Sequence, residues 1–412
     1  MTTSPNPPPP GAVESVNAPL AYGLRAIPTS IWALGFVSMF MDISSEMIHS
    51  LLPVFLVSVL RASAVSVGLI EGIAEATASI TKVFSGTLSD YLGRRKLLTA
   101  VGYGLAAFTK PLFPLAPSVA WVVAARFIDR VGKGIRGAPR DALVGDIAPP
   151  HLRGACYGLR QSLDTVGAFA GPLAATALMA LLSNDFRAVF WIAVVPAFLS
   201  VTTLIFGVQE PEASRPLGEA RSPIQAGNIM RLGAPYWWIV LIAVILTLAR
   251  FSEAFLILRV QQIGLPFALV PLVLVVMNAV YAISAYPAGH LSDRIDRRLL
   301  LLVGFVVLIG SDMVLALATG VWQALAGVAL WGLHMGLTQG LFAALVADTT
   351  PSELRGTAFG LFNLASGVAM LVASVLAGWL WHQYGPPATF YAGAGFTATA
   401  LVSLMTLRRR SG

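Results

Sequence analysis

The chain has one thiol, Cys156. That excludes an intramolecular disulfide and any metal site built on paired thiolates, and leaves the residue as a small packing side chain. Charge is scarce as well: 11% of the 412 residues are Asp, Glu, Lys or Arg, against roughly a quarter in soluble domains. The balance is basic, with a net charge of +7, but a surface that binds a phosphate backbone needs contiguous, solvated cations. Here the cations stand in small groups between apolar runs, so nucleic acid is excluded as a partner. Signal-peptide features are missing too. The proline-rich start, Met1 to Gly11, has neither a basic leader nor a cleavage pattern. Residues 1–29 are read as a disordered or amphipathic tail, and the first apolar run as a retained helix.

Apolar sequence fills the rest: 56% of the residues are hydrophobic, and the mean hydropathy is +0.76. A run of about 20 apolar residues crosses hydrocarbon as a helix, because helical backbone satisfies its own hydrogen bonds there. Such runs lie near 30–60, 65–91, 97–116, 119–147, 153–183 and 187–208, then near 235–262, 266–294, 299–319, 321–349, 354–384 and 387–408. The predicted fold class is all-α integral membrane, with twelve transmembrane helices in two six-helix halves. An N-terminal bundle covers 30–208, a polar linker 209–234, a C-terminal bundle 235–408 and a short tail 409–412. Basic residues such as Arg94, Arg95, Lys96, Arg140, Arg153, Arg297, Arg298 and Arg408 to Arg410 gather on one side of the spans, and Arg61, Arg187 and Arg259 are assigned to the other. The positive-inside rule then puts both termini in the cytoplasm of a prokaryotic inner membrane.

The halves repeat one another. GTLSDYLGRRK (Gly86 to Lys96) recurs as GHLSDRIDRRL (Gly289 to Leu299), and VGDIAPPHLRGACYGL (Val144 to Leu159) as VADTTPSELRGTAFGL (Val346 to Leu361), both about two hundred residues on. Two matches at one spacing make the halves pseudo-symmetric and the cleft between them the expected binding site. The pattern Gly86, Asp90, Gly93, Arg94, Arg95 resembles the signature loop of the major facilitator superfamily. Its second copy keeps Gly289, Asp293, Arg297 and Arg298 but has Asp296 where a glycine is expected. GAFAGP, with Gly167, Gly171 and Pro172, resembles the family's antiporter signature without its downstream glycine. The resemblance implies alternating access, transport rather than enzymatic activity, and a cytoplasmic latch. In that latch Asp90 accepts hydrogen bonds from a neighbouring helix N-terminus and Asp146 is the partner expected for Arg94.

The stretch Trp121 to Arg140 carries Arg126, Asp129, Arg130, Lys133 and Arg136 inside a membrane span. A phosphate loop is ruled out there, because Lys133 is followed by Gly134 rather than Ser or Thr and no strand precedes it. Ionisable groups in hydrocarbon cost about 2.5–3.5 kcal/mol each even on lenient scales, so they pair or line a cavity. Asp42, Glu46 and His49 share a face of the first span, and Glu71 and Glu75 a face of the second. Asp129 is expected to pair with Arg126 and Lys133 on its own helix, and Arg160 with Asp164. Arg130 is left to reach Asp42, Glu46, Glu71 or Asp164. A carboxylate so placed can exchange its pairing for a proton or a charged substrate. The coupling candidates are therefore Asp42, Glu46, Glu71, Glu75, Arg126, Asp129, Arg130, Arg160 and Asp164. His49 is read as an interfacial polar residue, His334 as a satisfied core histidine, and the C-terminal half as an apolar wall. A metal on Asp42, Glu46 and His49 is opposed by the nearby arginines. The expected function is proton-coupled export of a small amphipathic compound, with uptake of an anionic metabolite or metal chelate through Arg126 or Arg130 as the alternative and a membrane enzyme or non-transporting sensor as a remote one. The expected partners are a small-molecule substrate, protons and membrane lipid; no cofactor is called for, and the chain is expected to be monomeric.

Overall fold

A computed structural model describes residues 26–92, 94–149, 152–210, 229–292, 295–351 and 354–407. Its first six spans are α1 (Thr29–His49, continued by Leu52–Val54 and a π-helical turn Phe55–Val59), α2 (Ala64–Leu92), α3 (Arg95–Thr109, ending in a 3-10 turn Lys110–Leu112), α4 (Val119–Ile147), α5 (Arg153–Leu181) and α6 (Phe186–Gly207). The second six are α7 in two pieces (Ala234–Ala249 and Ala254–Gln262), α8 (Leu272–Ser292), α9 (Arg297–Leu317), α10 (Val321–Asp348), α11 (Arg355–Tyr384) and α12 (Pro386–Leu407). Among the described residues, 9 stretches are long and apolar enough to cross a membrane. The fourth span falls outside that set because of Arg126, Asp129, Arg130, Lys133 and Arg136, the charges that make it informative.

Within the first half α1 packs on α5 and α6, and α4 on α2 and α3; within the second, α10 packs on α8 and α9, and α9 on α12. The halves meet mainly along α2 and α11. Small residues make this seam: a Cβ added at Gly68 would strike the Ser374 carbonyl, one at Gly378 the Ala64 carbonyl, and one at Gly72 the Leu371 backbone. Without a hydrophobic drive between helices in lipid, such close backbone approach is what holds them. At one end of the bundle Leu52–Val54 packs against the second piece of α7, and Phe186 meets Phe267 edge-on at 6.0 Å.

The helices break where they border the space between the halves. In α1 the run stops at Ser50 and restarts at Leu52, with Pro53 at the start of the new turn. In α7 residues Arg250 to Glu253 are unwound. The Ser252 hydroxyl accepts from the Ala254 amide at 3.2 Å, and Ser374 Oγ accepts from the Ser252 amide at 3.3 Å. Freed backbone in a membrane has to be satisfied by protein, and these serines do so.

Candidate substrate and coupling site

The unwound part of α7 faces α1, α2 and α4 across a cavity of about 360 Å³. Glu46, His49, Glu71, Glu75, Arg130 and Lys133 line it from the first half, and Arg250, Glu253, Asn278, Trp331 and Met370 from the second. The C-terminal half is thus more than an apolar wall, since it contributes a cation and an anion. A second cavity of about 530 Å³, mostly apolar, lies between α5 and α8 and shares Ala168 and Asn278 with the first.

Helix α4 supplies the cations at helical spacing, so that one face meets α2 and the cavity. Arg126 Nη2 donates to Glu71 Oε2 at 2.8 Å and lies 2.7 Å from His49 Nδ1. Arg130 reaches Glu75 at 3.4 Å and Asp129 at 3.5 Å. Asp129 accepts from Lys110 Nζ at 2.9 Å, and the same ammonium donates to Ser45 Oγ at 3.0 Å. Glu71, Lys110, Arg126, Asp129 and Arg130 are each at most 4% exposed. Buried charges of both signs are tolerable only in such pairs. Glu46, Lys133, Arg250 and Glu253, by contrast, have side chains with no hydrogen bond or ion pair among the described residues.

A second group lies further along α4. Arg140 donates to Ser38 at 3.1 Å and Tyr103 at 3.4 Å, and stands 3.8 Å from Asp164. Arg160 lies 3.8 Å from both Asp141 and Asp164. Asp42 faces α5 here, its Cβ 3.1 Å from a Cβ placed at Gly167, one turn from Asp164. Arg136 stacks over the Tyr103 ring at 4.5 Å. The glycines of the GAFAGP stretch explain how α1 comes so close. A Cβ at Gly167 would lie 2.5 Å from the Met39 carbonyl, and one at Gly171 2.8 Å from Glu46 Cβ. Only glycine at both places lets Asp42 and Glu46 ride over α5.

Several sequence-based pairings are corrected by this geometry. Asp129 turns to Lys110 and Arg130 rather than to Arg126 and Lys133, because an i, i+3 neighbour on its own helix competes with a lysine projecting from α3 directly at it. Arg130 finds Glu75, not Asp42, Glu46, Glu71 or Asp164. His49 is a partner of Arg126 inside the cavity wall, not an interfacial residue. Asp146 pairs with Arg95, at 2.5 Å, rather than with Arg94, which is exposed at the start of α3. Arg297 pairs with Asp348 in the same way at 2.5 Å. Gly93 and Asp293 lie outside the described residues, while Asp90 and Gly289 are described only as helix. Arg160 and Asp164 pair as the spacing predicts. Lys110, Tyr103 and Ser45 were not legible as site residues. Lys110 falls inside the run read as 97–116, and only the absence of any acid near it in sequence hints at a distant partner. Among the described residues no group of three His, Cys, Asp or Glu is placed to hold a metal ion.

Twelve spans in two repeated halves, with a polar cavity between them, define a membrane transporter. The family comparison agrees: the Major Facilitator Superfamily model matches residues 34–277 and 251–412. The chain belongs to that superfamily, a family of multi-pass transporters and not of enzymes. It is 32% identical over 376 residues to an uncharacterized MFS-type transporter of Methanocaldococcus jannaschii, covering 90% of this chain and 92% of that one. It is 25% identical over 343 residues to a class C tetracycline resistance protein of Escherichia coli, covering 79% and 82%. Among solved structures, a mutant of the nucleoside transporter NupG shares the fold with a TM-score of 0.77 at 12% identity, covering 91% of this chain and 99% of that one.

Proposed function

We propose that this transporter is a secondary exporter that exchanges protons for a small amphipathic organic compound by alternating access, in a prokaryotic inner membrane with both termini cytoplasmic. The observation that carries the reading is that Asp42 packs over α5 at Gly167, one turn from Asp164, where Arg140 and Arg160 border the carboxylate. Two neighbouring carboxyl groups disfavour ionising together, and whether they hold a proton decides how strongly the arginines are attracted. Because the pair joins α1 to α5, its protonation state biases how those helices pack. A difference in proton affinity between two conformations is what coupling requires.

The amphipathic character follows from two adjoining spaces. The central cavity presents Glu46, Lys133, Arg250 and Glu253 as uncommitted charges, and the neighbouring space between α5 and α8 is apolar. Ligand sites combine a few placed polar groups with a hydrophobic lining in this manner. Export is supported by the antiporter-like stretch and by the resemblance to a tetracycline resistance protein. The uptake reading has less support, since the arginines it relies on, Arg126 and Arg130, are already committed to Glu71, Glu75 and Asp129. The ion pairs Arg95–Asp146 and Arg297–Asp348 support a cytoplasmic latch, with Arg95 in the place expected for Arg94. The test is a panel of amphipathic compounds, tetracycline included, screened for thermal stabilisation of purified protein and then for flux in proteoliposomes with and without a pH gradient. Stabilising compounds are expected to accumulate when the gradient opposes their leak; flux indifferent to the gradient contradicts the coupling.

A further inference from the structure

Helices α1, α3 and α4 share a register with α7, α9 and α10 at an offset of 202 residues. The ion pairs Arg95–Asp146 and Arg297–Asp348 each join residues 51 apart. Gly102 packs against Gly132 and Arg136, and Gly304 against their counterparts His334 and Thr338. Yet the two halves differ at the end of the bundle that these ion pairs mark. In the first half Trp32, Ala33, Val37, Leu143 and Ile147 pack into one apolar cluster. Their counterparts Ala234, Pro235, Ile239, Leu345 and Thr349 wall a cavity of about 410 Å³. Two exchanges account for the hole: a methyl group at Ala234 replaces the Trp32 indole, and Thr349 replaces the larger Ile147.

The cation beside this space also differs. In the first half Lys96 Nζ donates to the Ile205 carbonyl at 3.0 Å, and Glu210 accepts from the Lys96 amide at 2.9 Å. Its counterpart Arg298 lines the cavity. The Arg298 amide donates to Asp296 at 2.9 Å, but its guanidinium has no hydrogen-bond or ion-pair partner among the described residues.

An apolar cavity at the end of a membrane bundle, walled by a guanidinium that has no partner among the described residues, fits a molecule with a hydrocarbon tail and an anionic head. We propose that this groove binds an anionic phospholipid, its acyl chain against Ile239, Ile242, Leu301, Phe342 and Leu404 and its phosphate on Arg298. Basic pockets between membrane helices hold such headgroups through charge, and acyl chains are retained by the apolar area they bury. The groove is walled by α7, α9, α10 and α12 alone, apart from the central cavity, so the site stands whether or not the transport reading does.

Native mass spectrometry of the full-length protein, released from nanodiscs that contain equal phosphatidylglycerol and phosphatidylcholine, tests this. Wild type is expected to retain phosphatidylglycerol about fivefold over phosphatidylcholine, the factor given by roughly 1 kcal/mol per basic residue. Arg298→Gln is expected to abolish the preference. Arg153→Gln, an exposed cation at the same end but on α5, is expected to keep it. Ala234→Trp, which restores the filling side chain of the first half, is expected to lower retention of both lipids; Thr349→Ile makes a smaller step in the same direction should the tryptophan variant fail to fold. A preference that survives Arg298→Gln overturns the proposal. So does retention unchanged in both filling variants, or a preference erased by millimolar inorganic phosphate, which would assign the site to a free anion.

Discussion

Replacing Arg126 by leucine strands Glu71. The carboxylate is 1% exposed, and one of its oxygens already has no partner. The other accepts from Arg126 at 2.8 Å, with His49 next at 3.9 Å. Breaking a buried ion pair from one side costs about 3–5 kcal/mol, because an uncompensated charge stays behind. Glu71→Gln is a milder change: the amide oxygen still accepts from Arg126, and Arg126 keeps its contact with His49, so the cost falls below that of a stranded charge with no hydrogen bond. Removing both charges, as Glu71→Leu with Arg126→Leu, leaves no orphan, and replacing a whole buried pair by apolar groups is often neutral. The order of stability is therefore wild type and double variant together, then Glu71→Gln, then Arg126→Leu. Denaturant titration of purified protein in mixed micelles, followed by circular dichroism, measures it. A double variant that loses the sum of the Glu71→Leu and Arg126→Leu effects would refute the argument, since additivity means no coupling.

Three further outcomes follow from the same geometry. Lys110→Met leaves Asp129 with Arg130 at 3.5 Å, so it is expected to destabilise less than Arg126→Leu in the same titration. Gly171→Val drives a side chain into Glu46 and Ile43 and is expected to cost at least the roughly 1–3 kcal/mol of overpacking, whereas Gly104→Ala, with open space around it, is expected to be neutral or stabilising in a melting assay. Arg95→Gln with Arg297→Gln weakens both partly exposed pairs, each worth up to about 1 kcal/mol. Thiol labelling of a cysteine introduced into the central cavity is expected to change severalfold, and unchanged labelling argues against a latch.

The sequence was informative where the signal is local or repeated. Apolar run length placed the spans, because the bilayer fixes how many residues a helix needs. The repeated loops located the two halves, and placed Asp146 one residue from its partner, Arg95 in place of Arg94; the second pair, Arg297–Asp348, was not read from the sequence. Side-chain pairing was another matter. Helical spacing favours an i, i+3 or i, i+4 partner, yet Asp129 chose Lys110 on α3 and Arg126 chose Glu71 on α2, because helix packing decides which long side chain arrives first. His49 read as interfacial because its depth was counted along a straight helix, while α1 breaks just after it at Ser50. The unwinding of α7 at Arg250 to Glu253 was not read from the run 235–262, so the second half was expected as an apolar wall and its charged contribution to the cavity was missed. The groove beside Arg298 became visible only by comparing the two halves in space.

The central claim is that protons are exchanged for substrate through Asp42 and Asp164. The most direct measurement is proton movement in proteoliposomes loaded with a pH-sensitive dye, on addition of a compound that stabilises the purified protein. Wild type is expected to move protons with the compound. Asp42→Asn and Asp164→Asn are expected to exchange labelled for unlabelled compound while moving no protons. Proton movement that persists in both variants, or wild-type transport with none, contradicts the account.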